Sequence, residues 1–328
     1  MRTALALALV LVAVDPGVLQ ARYDRGRDAD ERARASGDAR AAASAQTRVR
    51  AAEAQDFRPA GWRLTREVPT FVPPAIARAP RQRDDALAAS LARLGSSYAG
   101  WAAFWVHDLR TGMWASWNSD ARFPAASTVK LGVLVAALAR NGPRSPLWYD
   151  LRQLTGWSSN LAANRLTSRL GGERVVQSTL LRLGARSSTY PGPYRAGTSV
   201  ADAPKPPPHG HWRVTTAHDL GRILYTLQAA ASGNRYEQRR ARLSRRRAQL
   251  ALGLLATGWS RGDSAGLVRP FTSRPVARKE GWLTDTRATA AVVYGTSPKI
   301  VVVLVYRPNV TLAEARALGR RVAQLTLG

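Results

Sequence analysis

A serine and a lysine three residues apart, Ser127 and Lys130, are residues whose types and spacing could together perform chemistry. They lie at the start of a predicted helix that runs to about Arg140 and is apolar almost all round, as in helices buried inside a domain. A serine in the first helical turn lies beside free backbone N–H groups, and a lysine three residues later shares its face. A buried lysine loses proton affinity, so it could accept the serine proton. The alternative is a serine that caps the helix, followed by a surface lysine.

Two more segments carry polar residues that a serine nucleophile would use. Ser158–Asn160 precedes a predicted helix, and Lys279–Trp282 lies at the end of a predicted strand. In chain order the three segments read S-x-x-K, S-x-N and K-x-G, and they resemble the class A β-lactamase and penicillin-binding serine hydrolase family. The resemblance extends over roughly Asp84 to Gln324 in both motifs and element order.

This resemblance implies a catalytic role for four residues. Ser127 would be the acylated nucleophile, and Lys130 would be its base or proton shuttle. Ser158 would pass a proton to the leaving nitrogen, and Lys279 would line the cleft beside it and help to hold its charge state. The scheme includes no cofactor and no metal.

The resemblance also implies a set of substrate-binding residues, which comprises Asn160, Glu280, Gly281, Trp282 and Arg287. Asn160 would hydrogen-bond the substrate amide, and Arg287 would supply a carboxylate-binding side chain on the next strand. The backbone N–H groups of Ser127 and Trp282 would form an oxyanion hole, an arrangement typically worth ~3–4 kcal/mol.

Three departures from the family pattern bear on turnover. Glu280 replaces the hydroxyl residue that receives the substrate carboxylate, and it would repel a carboxylate unless an arginine such as Arg287 neutralises it or its side chain points away. Ser159 replaces an aspartate that is mostly structural in the family. The family's Ω-loop glutamate activates the deacylating water, and the sequence has no glutamate between Glu173 and Glu237. We therefore expect slow deacylation.

The predicted elements occur in the order helix, two strands, a helical insert, three strands and a helix. This order favours an α+β fold with a five-stranded antiparallel sheet, flanked by the terminal helices, and an inserted all-helical lobe. A cleft between sheet and lobe is then the default active site. The predicted helices are 84–94, 127–140, 160–170, 173–183, 216–230 and 311–324, and the predicted strands are 101–106, 113–117, 276–281, 288–294 and 299–306.

The chain is expected to contain three segments. Residues 1–21 resemble a signal peptide, because Arg2 precedes an apolar run, Ala4–Val14, that is too short to span a bilayer. Residues 22–82 predict a disordered linker rich in Arg, Ala and Pro, and residues 83–328 the hydrolase domain. We expect a secreted, periplasmic or cell-wall-associated protein without a transmembrane segment in its mature chain.

Composition excludes several chemistries. The chain has no cysteine, so disulfides, thiolate metal sites and a cysteine nucleophile are ruled out. His209 and His211 lack a third ligand in the sequence nearby, so no metal is expected. The formal net charge of +27 favours nonspecific attraction to polyanions, and anionic cell-wall polymers are candidate partners. The tryptophans fall mostly on predicted core strands, so specific binding of nucleic acid is not expected.

The leading functional hypothesis is an exported serine acyl hydrolase that forms an acyl-enzyme at Ser127 with β-lactams or related amides. One alternative is a cell-wall D,D-peptidase or transpeptidase, which needs no Ω-loop glutamate. Another is a catalytically weak or inactive module that binds the cell wall or a partner, in which Glu280 would mark lost chemistry.

Overall fold

The computed structural model describes residues 40, 44, 47, 71–76, 81–143, 145–156, 158–194, 213–257, 266–283 and 285–328. The chain divides into two compact units, residues 1–65 and 66–328. Three residues of the first unit are described, and all three are helical. The predicted signal peptide and most of the predicted linker lie outside the described residues. In the part that is described, no helix has both the length and the apolarity needed to cross a membrane.

The second unit contains a six-stranded sheet. Its strands are β1 (Gln82–Arg83), β2 (Trp101–Asp108), β3 (Met113–Trp117), β6 (Val276–Leu283), β7 (Thr286–Val293) and β8 (Lys299–Tyr306). Their order across the sheet is β1-β3-β2-β8-β7-β6. All neighbours are antiparallel except β1, which pairs in parallel with β3 through Gln82 and Met113. The prediction of an α+β fold with an antiparallel sheet is confirmed. The sixth strand, β1, was not predicted, because two residues are too few to show an alternating pattern.

Strands β8 and β7 lie between β2 and the edge strand β6. Strand β8 has the sequence KIVVVLVY, and both β7 and β8 are buried on both faces. Branched side chains favour the pleated conformation and pack well between two covering layers. Strand β6 forms one edge of the sheet, and it pairs with β7 along its whole length.

The first and last helices of this unit, α1 (Asp85–Ser96) and α9 (Leu312–Leu327), cover one face of the sheet. Helix α9 begins with a capping box, in which Thr311 Oγ1 accepts from the Glu314 N–H at 3.2 Å and Glu314 Oε2 accepts from the Thr311 N–H at 2.9 Å. The core between these helices and the sheet includes Leu91, Phe104, Val303, Leu318 and Val322.

The other described helices follow between strands β3 and β6. They are α2 (Lys130–Arg140), α3 (Trp148–Gly156), α4 (Asn160–Leu170), α5 (Glu173–Leu183), α6 (Ala217–Ala231), α7 (Arg235–Ala241) and α8 (Arg245–Thr257). The bounds of α4 and α5 match the prediction, whereas α3, α7 and α8 are not among the predicted helices. Two short strands, β4 (Phe123–Pro124) and β5 (Val214–Thr215), form a separate antiparallel pair within this region.

Several arginines of this helical region bond to the carbonyl ends of neighbouring helices. Arg140 donates to the Leu170 carbonyl at 2.9 Å, at the end of α4. Arg240 donates to the Arg182 carbonyl at 2.9 Å near the end of α5, and Arg247 donates to the Ala139 carbonyl at 2.7 Å near the end of α2. The last carbonyls of a helix have no partner within it, so these guanidinium groups complete three helix termini.

Candidate active site

The predicted nucleophile, Ser127, lies in a tight turn that connects β4 to α2. Helix α2 begins at Lys130, three residues later than predicted, because residues 126–129 form a turn. The Thr128 N–H bonds to the Ala125 carbonyl at 3.0 Å, and the Lys130 N–H bonds to the Ser127 carbonyl at 3.2 Å. Bonds between residues three apart make a tighter winding than the α-helix. Ser127 is partly exposed in this turn, whereas Thr128 and Lys130 are fully buried.

The turn is attached to the rest of the domain on both sides. The Ala125 N–H donates to the Arg213 carbonyl at 2.9 Å, which extends the β4–β5 pair toward the nucleophile. The Thr128 hydroxyl donates to the Ala125 carbonyl at 2.6 Å and closes the turn from inside. Ala126 has a φ of 45°, a left-handed conformation that costs energy for a residue with a Cβ. Surrounding contacts therefore hold Ser127 in place.

Strand β6 passes against this turn at Gly281. A Cβ atom on residue 281 would lie 3.1 Å from the Ser127 nitrogen and 3.0 Å from the Ala126 Cβ. Both distances are tighter than ordinary van der Waals contact, so a Cβ here would force its neighbours to move by a few tenths of an ångström. The approach brings the edge strand against the backbone of the predicted nucleophile.

Lys130 is fully buried at the first position of α2. Its Nζ donates to Asn160 Oδ1 at 2.6 Å and to the Ser158 carbonyl oxygen, and it lies 3.4 Å from Ser158 Oγ. The ring centroid of Tyr194 is 4.4 Å from the same Nζ. An ammonium group removed from water is costly unless other groups replace its hydration. The Asn160 amide oxygen, the Ser158 carbonyl and the Tyr194 ring replace the lost hydration of Lys130.

Ser158 connects Lys130 to Lys279. Ser158 has a φ of 62°, and the following residue, Ser159, caps α4 by accepting from the Ala162 N–H at 3.0 Å. The Lys279 Nζ donates to Ser158 Oγ at 2.7 Å. The hydroxyl of Ser158 therefore lies between the ammonium groups of two lysines, one on α2 and one on β6.

Lys279 is buried on β6, and its Nζ also donates to the Glu280 carbonyl at 2.8 Å. Burial lowers the pKa of Lys279 to about 8, while the Glu280 carboxylate opposes the shift and Arg278 adds to it. Removal from water disfavours the charged form of a lysine. Lys279 therefore holds its proton less tightly than an exposed lysine does.

Glu280 and Arg287 lie on the opposite face of the sheet from Lys279. Side chains alternate along a strand, and Arg287 pairs with Trp282, two residues beyond Glu280 on the same face. Glu280 forms an ion pair with Arg278. Arg287 is buried and donates to the carbonyls of Thr286, at 3.0 Å, and Leu283. Of the arginines considered, Arg278 is the one that the structure pairs with Glu280.

Tyr194 reaches the site from the loop after α5, and the sequence analysis did not identify it. Its backbone N–H donates to Asn164 Oδ1 at 2.7 Å, and its carbonyl accepts from Asn164 Nδ2 at 2.7 Å. Its hydroxyl donates to the Ala126 carbonyl at 3.2 Å, next to the nucleophile. Asn164 comes one turn after Asn160 on α4, and that spacing was the one sequence signal that pointed toward this contact.

Asp219, one of two acids between Glu173 and Glu237, has a structural role. It lies in the first turn of α6, and its Oδ2 accepts from the Ser187 N–H and the Ser188 hydroxyl, both at 2.8 Å. Burial raises the pKa of Asp219, and these hydrogen bonds oppose the shift. The other acid, Asp202, and the histidine pair His209 and His211 lie outside the described residues.

The described residues contain no group of three His, Cys, Asp or Glu side chains that could hold a metal ion. They do bring together Lys130, Ser158, Asn160 and Lys279, with Gly281 against the backbone of Ser127. A partly exposed serine beside buried lysines and a bridging hydroxyl has the groups needed for nucleophilic acyl transfer. This chemistry uses amino-acid side chains alone.

Residues 86–142 and 140–327 match the model of the beta-lactamase enzyme family. A search of curated proteins finds no match. The chain is also similar to three solved structures that share its fold. A PBP-A mutant, an acyl-enzyme complex with penicillin G, is 19% identical, with 75% of this chain and 97% of that chain covered and a TM-score of 0.57. An ancestral class A beta-lactamase (GNCA) is 23% identical, with 73% of this chain and 98% of that chain covered and a TM-score of 0.58. A beta-lactamase from Xanthomonas campestris pv. campestris is 19% identical, with 74% and 96% covered and a TM-score of 0.59.

Proposed function

Because the chain belongs to the beta-lactamase enzyme family, we propose that it is an exported serine acyl hydrolase that forms an acyl-enzyme at Ser127 with β-lactams or related amides. The observation that carries this proposal is the buried chain of hydrogen bonds beside the Ser127 turn. In it, Lys130 Nζ lies 3.4 Å and Lys279 Nζ 2.7 Å from Ser158 Oγ. Such a chain can receive a proton from the nucleophile and deliver it to a leaving group.

The proposed acylation step balances within these residues. Ser127 Oγ attacks the substrate carbonyl carbon while its proton passes to the neutral amine of Lys130. The C–N bond then breaks, and the leaving nitrogen takes a proton from Ser158 Oγ. Lys130 returns its proton to Ser158, so the site ends neutral apart from Lys279, and the acyl group is left on Ser127.

The backbone around Gly281 supports stabilisation of the intermediate. Strand β6 approaches the Ser127 nitrogen at Gly281, and Trp282 is the next residue along the strand. In this proposal the N–H groups of Ser127 and Trp282 bind the oxyanion, a contribution typically worth ~3–4 kcal/mol. Glycine at position 281 favours this placement, because a Cβ there would press against the Ser127 turn.

The proposed enzyme releases its acyl group slowly. Tyr194 is the loop residue that contacts Lys130, and burial raises the pKa of its phenol far above the usual range. A phenol that stays protonated cannot remove a proton from water. The same observation favours the second candidate, a cell-wall D,D-peptidase or transpeptidase, because that reaction passes the acyl group on without an Ω-loop glutamate.

Intact-protein mass spectrometry over time after addition of benzylpenicillin tests the proposal. We expect a penicilloyl adduct that forms quickly and decays over many minutes, and no adduct on Ser127→Ala. Rapid loss of the adduct, with continued consumption of penicillin, would show efficient hydrolysis and would contradict slow release of the acyl group. Absence of an adduct with both a penicillin and a D-Ala-D-Ala peptide ester would instead favour the inactive binding module.

Anionic cell-wall polymers are the proposed partners of the basic surface on α7 and α8. The exposed arginines on and between these helices include Arg239, Arg242, Arg245 and Arg246. Retention on an immobilised teichoic acid should fall with salt, because screening weakens exposed charge attraction. Replacing these four by Gln should reduce retention, and unchanged retention would reject the partner. Arg240 and Arg247 are left intact because they bond to helix carbonyls.

A further inference from the structure

We propose that Tyr194 is a positioning residue of this site, whose ring face orients Lys130 and stabilises the ammonium group that forms when Lys130 takes the Ser127 proton. The inference rests on the proposed function, since it assigns Lys130 the part of proton acceptor from Ser127. It adds to that function a residue and an interaction that the sequence motifs do not contain.

The geometry of the pair is that of a cation–π contact. Lys130 Nζ lies 4.4 Å from the centroid of the Tyr194 ring, well within the distance at which a ring face attracts a cation. Lys130 is fully buried and Tyr194 is half-buried, so water weakens the attraction less than it does on a surface. Two hydrogen-bond acceptors of Lys130, the Ser158 carbonyl and Asn160 Oδ1, are also uncharged.

The ring is fixed from several directions, and this fixes its face relative to Lys130. Asn164 bonds to both the N–H and the carbonyl of Tyr194 at 2.7 Å, and the Tyr194 hydroxyl donates to the Ala126 carbonyl at 3.2 Å. The Arg213 Cζ lies 3.8 Å from the ring centroid, and its guanidinium donates to the Gly192 carbonyl at 2.8 Å. These contacts therefore fix the orientation of the Tyr194 ring before Lys130 takes a proton.

Two other cations lie near Lys130, and they make the contact with the Tyr194 ring important for its protonation. Lys279 lies beyond Ser158 on β6, and Arg213 lies against the ring from the start of β5. Both are cations, and both oppose the charged form of Lys130. The ring face opposes them and favours the ammonium that forms when Lys130 takes the Ser127 proton. Tyr194 thereby acts on the nucleophile through Lys130.

The test uses the small number of lysines in the chain. There are four, Lys130, Lys205, Lys279 and Lys299, so lysine labelled with 13C at Cε gives four NMR signals. Replacing Lys205, Lys279 and Lys299 in turn identifies the Lys130 signal by elimination. Its titration is then followed in proteins that carry phenylalanine at position 194, or phenylalanine with one, two or three ring fluorines, which nearly preserve the shape of the ring.

We expect the Lys130 titration midpoint to fall in steps as fluorination weakens the negative ring face, by about 0.5 to 1.5 pH units in total. Tyr194→Phe itself should stay close to the native protein. A midpoint that does not change along the series would overturn the proposal, and so would a shift produced by Tyr194→Phe alone. The titration needs no substrate, so it gives its answer even if mass spectrometry shows no acyl-enzyme.

Discussion

The Lys279 ammonium group donates a 2.7 Å hydrogen bond to the Ser158 hydroxyl, so a buried cation on the sheet meets a serine at the start of a lobe helix. The two residues are 121 positions apart in the chain. Their contact joins the two halves of the fold at the site where proton transfer is proposed. The charge on Lys279 should consequently affect both the free energy of unfolding and the proposed proton transfer.

The stability of the protein should depend on pH through Lys279. Its folded-state pKa is about 8 against 10.5 for an ordinary lysine, so the unfolded chain binds this proton more tightly. The contribution of Lys279 to the free energy of unfolding therefore rises with pH between about 8 and 10.5. Urea unfolding at several pH values should show this rise in the native protein relative to Lys279→Met. Parallel pH curves for the two proteins would contradict it.

Glu280 should repel a substrate carboxylate less than an isolated carboxylate would. Two unit charges about 4 Å apart at an effective dielectric near 20 repel by roughly 4 kcal/mol, but Glu280 lies on the sheet face opposite Lys279 and pairs with Arg278, and both features reduce this repulsion. We expect Glu280→Thr to raise the penicillin acylation rate by less than about tenfold.

The matched variant is Arg278→Met, which leaves the Glu280 carboxylate without its ion-pair partner. It should lower the acylation rate for penicillin more than for an uncharged ester substrate. Stopped-flow rates against substrate concentration compare the two variants. A gain of a hundredfold or more in Glu280→Thr would show that the pair does not shield the carboxylate.

Tyr194→Glu should accelerate deacylation. The Tyr194 hydroxyl lies beside the Ala126 carbonyl, so a carboxylate at this position could activate water next to the ester on Ser127. General-base catalysis typically contributes 10²–10⁴-fold, and we expect the adduct lifetime to shorten by about a hundredfold. Tyr194→Phe, which adds no base, is the control and should keep the native lifetime. Equal lifetimes in all three proteins would place the deacylating water elsewhere.

Gly281→Ala should slow acylation while the protein remains folded. The new methyl group would lie 3.0 Å from the Ala126 Cβ and 3.1 Å from the Ser127 nitrogen, and one of the two backbones would have to move. We expect at least a tenfold loss in acylation rate, since oxyanion contacts depend on accurate placement. Gly142→Ala is the matched control, because its Cβ would meet nothing within 4 Å. Similar rates in both variants would argue against an oxyanion hole at this strand.

Much of the fold could be predicted because its long elements carry strong local signals. Strand β8 was predicted with its observed bounds, 299–306, from a run of branched apolar residues. Helix α4 was predicted with its observed bounds because Asn160 follows a serine cap and Gly171 ends the helix in a left-handed conformation. Signals of this kind depend on neighbours in sequence, and they survive folding unchanged.

The features that were not predicted depend on contacts between distant parts of the chain. Strands β4 and β5 have two residues each, and they pair across about ninety residues of intervening chain. The winding at Ser127 is set by the Arg213 carbonyl and by Gly281, which no local pattern reveals. Tyr194 reaches Lys130 through a loop whose path depends on Asn164. Composition and spacing do not encode such placements directly.

The arginines that bond helix carbonyls divide the basic surface into two groups with different evolutionary prospects. Arg140, Arg240 and Arg247 each place a planar guanidinium on a specific carbonyl, and a lysine, with a shorter point-like head, would not replace that geometry. A mutation from an arginine codon to a lysine codon would therefore be selected against at these three positions. At exposed positions such as Arg245 and Arg246, the same exchange keeps the charge and can follow the base composition of the genome.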